Sequence, residues 1–181
     1  MSPKALVRLA LCSSVLLLTS SAHAALNAYL QLKGAKSGVI KGSSTTKGLE
    51  DAIIVIDAEQ TSLVPVDASS GQATGKERIG HLTITKEVDR SSPILRQALT
   101  NSENITEGTL SFLQPSANGL TRSFYTIKLG NARLVSIKTE IYTDPSTKAT
   151  SLRETVEIAY ERADWIWVDG GITATESLSR S

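Results

Sequence analysis

The sequence predicts a mainly β protein, a sandwich or barrel with a single short helix. Three observations predict it. Apolar and polar side chains alternate with period two through nearly every segment, as in Leu26, Ala28, Leu30 and Leu32 against Asn27, Tyr29, Gln31 and Lys33. Turn residues punctuate these runs at short intervals, and one stretch alone carries a helical stripe. No repeat, low-complexity tract or linker interrupts the pattern, so the β-patterned part of the chain reads as one domain.

The first element is a leader. Lys4 and Arg8 precede the apolar run Leu9 to Leu18, and Ala22-His23-Ala24 supplies the small-x-small signal for cleavage between Ala24 and Ala25. The apolar run is too short to span a bilayer, and no stop-transfer pattern follows it, so no stable membrane anchor is expected. Cys12 invites a lipoprotein reading, but Leu11 is bulky where a small residue is wanted, and a plain cleavable signal is preferred. Cleavage after Ala24 removes 24 of the 181 residues and leaves 157, enough for a real core. The single cysteine departs with the leader, so the mature chain has no disulfide to hold it together. Taking Lys4 and Arg8 from the 19 basic residues leaves 17 against 18 acidic ones, a balance that gives no electrostatic case for nucleic acid.

The remaining elements follow in order. A strand starts at Leu26, and "GAKSGVIKGSSTTKG" is a glycine- and serine-rich connection with a short strand candidate at Val39-Ile40. "EDAIIVIDAE" is a strong strand, apolar on both faces: Ile53 and Val55 on one, Ala52, Ile54 and Ile56 on the other. It is therefore either covered on both sides or turned towards a partner. The long segment from Gln60 to Gly80 is rich in small, polar and glycine residues, and is read as an extended hairpin that touches a neighbouring molecule. "HLTITKEV" returns to alternation. In "SSPILRQALTN", Ser92 is the expected N-cap, Pro93 the first helical residue, and Ile94, Leu95, Ala98 and Leu99 the apolar stripe, with Asn101 as the end. Strands follow in "EGTLSFLQ", "RSFYTIKL", "ARLVSIKTEI" and Ser151 to Asp169, with turns at "PSANG" and "TDPSTKA" and a tighter break at Gly130-Asn131.

Catalytic chemistry finds little support. The mature chain has one histidine, His81, and no cysteine, which all but excludes the usual zinc sites and the Cys-His and Ser-His-Asp arrangements. No glycine elbow frames a serine and no glycine-rich run has phosphate-loop spacing. Glu161, Asp164 and Asp169 surround Trp165 and Trp167, a composition that sugar-cleaving enzymes use. In a strand, however, the two tryptophans share one face and read more readily as core or interface anchors. Neither catalytic residues, a cofactor nor a metal is expected.

Four strings, "AYLQLKGAKSGVIKG", "LTITKEVDRSSPILRQAL", "FYTIKLGNA" and "DWIWVDGGITA", stand in this order and resemble the haemolysin-coregulated protein (Hcp) family, the tube subunits of type VI secretion systems. The resemblance runs from Ala28 to Ala174. It implies a compact β-barrel of two packed antiparallel sheets with one short α-helix at the side, occupying residues 25–181 behind a leader at 1–24. It implies six subunits closing into a ring, rings stacking into a tube, small effectors carried in the lumen, tip and spike proteins as further partners, and no enzymatic activity. It makes Thr61 to Gly80 the ring-stacking loop, with Thr61, Val64, Asp67, Gly71, Lys76 and Arg78 as its contact residues, and turns Asp57 and Glu59 towards the lumen. Two features depart from the family. Thr175-Glu176-Ser177-Leu178 replaces an acidic, tryptophan-containing end, and tube subunits leave the cell without a cleavable signal. The leader therefore points to a secreted or periplasmic protein. The alternative is an exported binding module that keeps the barrel without building the tube.

Overall fold

The computed structural model describes residues 26–75, 78–115 and 121–177. The cleavage residues Ala22, Ala24 and Ala25, the loop residue Lys76 and most of the "PSANG" turn lie outside them. Among the described residues the order is β1 (Asn27–Gly34), β2 (Gly38–Ile40), β3 (Ile53–Val55), β4 (Asp57–Leu63), β5 (Arg78–Glu87), α1 (Ser92–Thr100), β6 (Ile105–Pro115), β7 (Thr121–Thr143), β8 (Thr150–Ala159), β9 (Arg162–Trp167) and β10 (Ile172–Ser177). All pairings are antiparallel. One sheet runs β10-β9-β7-β6-β1, with β2 and β3 side by side on the outer edge of β1. The other runs β7-β8-β5-β4. The sheets share β7 at one corner, and the chain crosses between them again from β3 to β4 at Ile56, so the two form an open barrel in which β4 and β10 are edge strands.

Strand alternation builds the core directly. In the first sheet Leu30, Leu110, Ile127 and Trp165 stand in one cross-strand row. In the second, Leu82, Ile158 and Leu134 form one row, and Ile84, Val156 and Ile137 another. These inward faces meet in a single apolar cluster, where each fully buried aliphatic side chain contributes roughly 1.5–3 kcal/mol. The outward row Gln31, Thr109, Lys128, Asp164 and Thr175 is polar, as the period-two pattern requires.

Four sequence expectations are corrected. Gly130-Asn131 does not end a strand. Asn131 takes a left-handed backbone (φ 49°), a region asparagine enters more readily than bulky residues, and β7 bends there from one sheet into the other without stopping. The segment "EDAIIVIDAE" is two strands, because the chain changes sheets at Ile56. Tyr29 does not face solvent: the connection between β2 and β3 folds over it, packing Leu49 and Ala52 against its ring, and Thr46 bonds its hydroxyl at 3.0 Å. Gly42 permits this close approach, since a Cβ there would lie 2.4 Å from the Ala52 carbonyl oxygen.

The fourth correction concerns α1. Its cap is Ser91, whose side chain makes no capping bond to the helix. Ser92 Oγ instead accepts from the Asp89 amide at 3.1 Å and from Lys86 Nζ at 2.9 Å. Leu95 and Ala98 are buried against the barrel, whereas Ile94 remains exposed.

Candidate functional site

The segment that the sequence marked as an extended hairpin is one. β4 and β5 pair from Asp57↔Thr85 out to Leu63↔Arg78, with a bulge where Thr61 stands opposite Gly80 and His81. A Cβ on Gly80 would meet the Thr61 carbonyl oxygen at 3.0 Å, so glycine lets the two strands approach at the bulge. The tip beyond is tied together. Val66 bridges Ala73, and the Asp67 amide bonds the Gln72 carbonyl at 2.8 Å. The Asp67 carboxylate accepts from the Ser69 and Ser70 amides at 3.0 and 2.8 Å and from both serine hydroxyls, which pulls its pKa down to about 2, the Ser69 hydroxyl acting most strongly. Gly71 supplies the positive φ that closes the turn. Leu63, Val64 and Val66 are exposed along this arm. Thr61, Val64, Asp67 and Gly71 thus lie together on one projecting element, and the Arg78 backbone sits at its root.

A second apolar surface lies at the opposite end of the same two strands. Ile54, Ile56 and Val88 line a groove with Ser43, Glu87 and Asp89. The Val88 amide bonds the Leu152 carbonyl at 2.9 Å, and Leu152 is paired with Ile141, which is 76% exposed. The groove therefore continues as a strip from Ile54 to Ile141. The first sheet also ends in two unlike apolar edges. Val39 and Ile54 stand on the β2/β3 edge. Trp167, Val168 and Ile172 stand on the β10 edge, where Phe124 meets Trp167 edge to face at 5.7 Å. Sequence reading saw the arm and the tryptophans. It missed the strip, because Val88, Leu152 and Ile141 come together only through strand register.

Asp57 and Glu59 are exposed on the outward face of the second sheet, in rows with Thr85, Thr155 and Lys138 and with Thr83, Glu157 and Ser136. The acids near the tryptophans are engaged at the surface. Arg122 grips Asp169 with two bonds of 2.8 Å, Asn131 reaches Glu161 at 3.3 Å, and Thr175 and Arg162 hold Asp164. The Thr175 hydroxyl, followed by Arg162, holds the Asp164 carboxyl below its ordinary value, the reverse of what a general acid needs. His81 Nδ1 lies 3.8 Å from Glu157, both half exposed. Among the described residues no group of three His, Cys, Asp or Glu could hold a metal ion, and no helix is long and apolar enough to cross a membrane.

Comparison with known proteins agrees with this architecture. The family model described as "Type VI secretion system effector, Hcp" matches residues 29–167. The chain is 29% identical over 160 residues to the "Major exported protein" of Pseudomonas aeruginosa, covering 82% of this chain and 93% of that one. Its structure is similar to that of Hcp1 from the E. coli EAEC 042 pathovar, with a TM-score of 0.78, 27% identity, and 86% of this chain and all of that chain covered. The secreted protein Hcp3 of Pseudomonas aeruginosa shares the fold, with a TM-score of 0.70 at 24% identity, over 86% of this chain and 100% of the other.

Proposed function

Because this chain belongs to the Hcp family of type VI secretion system proteins, a family of structural secreted proteins and not of enzymes, we propose that it is a tube subunit that closes into hexameric rings, stacks them, and carries small effectors in the lumen. The observation that carries this reading is the pair of unlike apolar edges on the first sheet. A two-fold dimer buries like against like. Two dissimilar edges on one sheet instead suit head-to-tail contact, which closes into a ring when the rotation allows. Six as the number per ring follows from the family resemblance.

Stacking has the same logic along the other direction. The arm leaves one end of β4 and β5, and the apolar strip occupies the other end, so each ring offers Leu63, Val64 and Val66 to the Ile56, Val88 and Ile141 surface of the next. Asp57 and Glu59 then face the bore with the polar side of the second sheet. The leader, cleaved after Ala24, takes the protein to the periplasm or beyond, and tip or spike proteins cap the stack.

The test is the N-terminus and native mass of the protein recovered from its own host. A start at Ala25 with a hexameric mass is the expected result. A processed monomer at high concentration would overturn the ring and favour the exported binding module. The double variant Ile54→Asp, Trp167→Arg removes apolar surface from both edges and is expected to convert the hexamer to monomers.

A further inference from the structure

The described side chains of the arm beyond Thr61 are nearly all exposed, so their packing does not set the direction in which it projects. Its root carries a bulge at Thr61 and a glycine at position 80, where the ribbon bends and its twist increases. Yet the root is tied to the other sheet. Gln60 is the residue of β4 just before the bulge, on the same side as Ala58, which packs on the core. Trp165 Nε1, from β9 of the first sheet, donates to Gln60 Oε1 at 3.0 Å. Gln60 Nε2 donates to the Tyr160 hydroxyl, and that hydroxyl donates to the Gly80 carbonyl at 3.2 Å.

The chemistry of these groups fixes one arrangement. An indole nitrogen can only donate, so the amide oxygen of Gln60 must face Trp165 and its nitrogen must face Tyr160. The phenol, having accepted, sends its own proton to Gly80. A chain of three hydrogen bonds thus links β9 to both strands at the arm's root, where no backbone ladder joins β4 to β9. The core residues beside these groups, Leu82 and Ile158, are apolar, so the hydrogen bonds of the Gln60 side chain run to Trp165 and Tyr160. A polar triad here adds direction, which apolar contact does not.

We propose that Gln60, Tyr160 and Trp165 form a latch that sets the angle of the arm, so that docking of the arm on a second copy of this chain depends on residues that do not touch that copy. The consequence for docking rests on the stacked-ring reading. The angle itself is a property of one subunit.

The experiment separates the two. The mature chain has no cysteine, so Ala68→Cys at the arm tip and Lys128→Cys on the first sheet take spin labels at two defined places. Electron-spin distance distributions are compared for the labelled parent, Tyr160→Phe and Gln60→Leu, alongside native mass and electron microscopy of stacks. The parent distribution is expected to be narrow, and each variant roughly twofold broader or displaced, with folding retained and stacks reduced while single rings persist. An unchanged distribution in both variants overturns the latch. A narrow distribution in a parent that forms no rings, broadened in the variants, leaves the latch standing and removes the tube reading, whereas a broad distribution in the parent overturns the latch. Tyr160→Phe deletes one hydroxyl only, so it remains readable if Gln60→Leu fails to fold.

Discussion

Lys86 shows how a single position can hide from sequence reading. It sits in an alternating strand where a lysine reads as solvent-facing, yet it is fully buried. Its ammonium lies 2.9 Å from Asp89, 3.3 Å from Glu154, 2.9 Å from the Ser92 hydroxyl and 2.7 Å from the Glu87 carbonyl oxygen. It joins β5, β8 and the start of α1, and it explains why Ser92 is diverted from capping. Burial works to raise the Asp89 carboxyl, and the Ser91 hydroxyl and Lys86 outweigh it, holding that carboxyl below its ordinary value. Lys86→Ala strands Glu154 and Asp89 and is expected to cost about 3–5 kcal/mol in denaturant unfolding, more than the double change Lys86→Met, Glu154→Leu. Asp67 makes the complementary case at the surface. Its folded pKa lies below the ordinary 3.8, so its contribution to the tip is complete above that value and is lost as pH falls through about 2. The Ser69 and Ser70 amide resonances are expected to hold their folded shifts down to that range. In Asp67→Asn they should lose this titration altogether.

At the scale of elements, periodicity located most of the strands and the helix, because inward alternation and the Ser-Pro start are local signals. Leu95 lay in the expected stripe and is 1% exposed, so Leu95→Ala is expected to cost about 2–5 kcal/mol by thermal or denaturant unfolding. What local signals could not reveal was where one element becomes two or two become one. Gly130-Asn131 has the chemistry of a turn, and only the partners of β7 on either side of it turn that break into a bend. Asn131→Val places a β-branched residue at positive φ and is expected to destabilise the fold by roughly 1–2 kcal/mol, with Asn131→Gly much milder. β10 escaped notice for a related reason: an edge strand exposed on both faces carries no alternation. The arm was legible as an extended hairpin, but its latch was not, since Gln60 and Trp165 are far apart in sequence and meet only across the sheets.

For the whole molecule, the informative feature is what the barrel leaves uncovered. Among the described residues, apolar side chains left exposed lie on the β2/β3 edge, the β10 edge, the arm and the strip at the far end of β4 and β5. Replacing residues 64–74 by a short glycine-serine turn is therefore expected to leave the ring mass intact and abolish stacks in electron micrographs. Pairing of the first described strand has a different consequence, a kinetic one. β1 is hydrogen-bonded on one edge to β2 and β3, which follow it closely, and on the other to β6, Leu30 opposite Leu110, so this second edge stays open until the middle of the chain is available. Long-range pairing of this kind is slow. The seam between β1 and β6 therefore closes late, and until it does Leu30 and its neighbours rest on the local contacts of β2 and β3 alone.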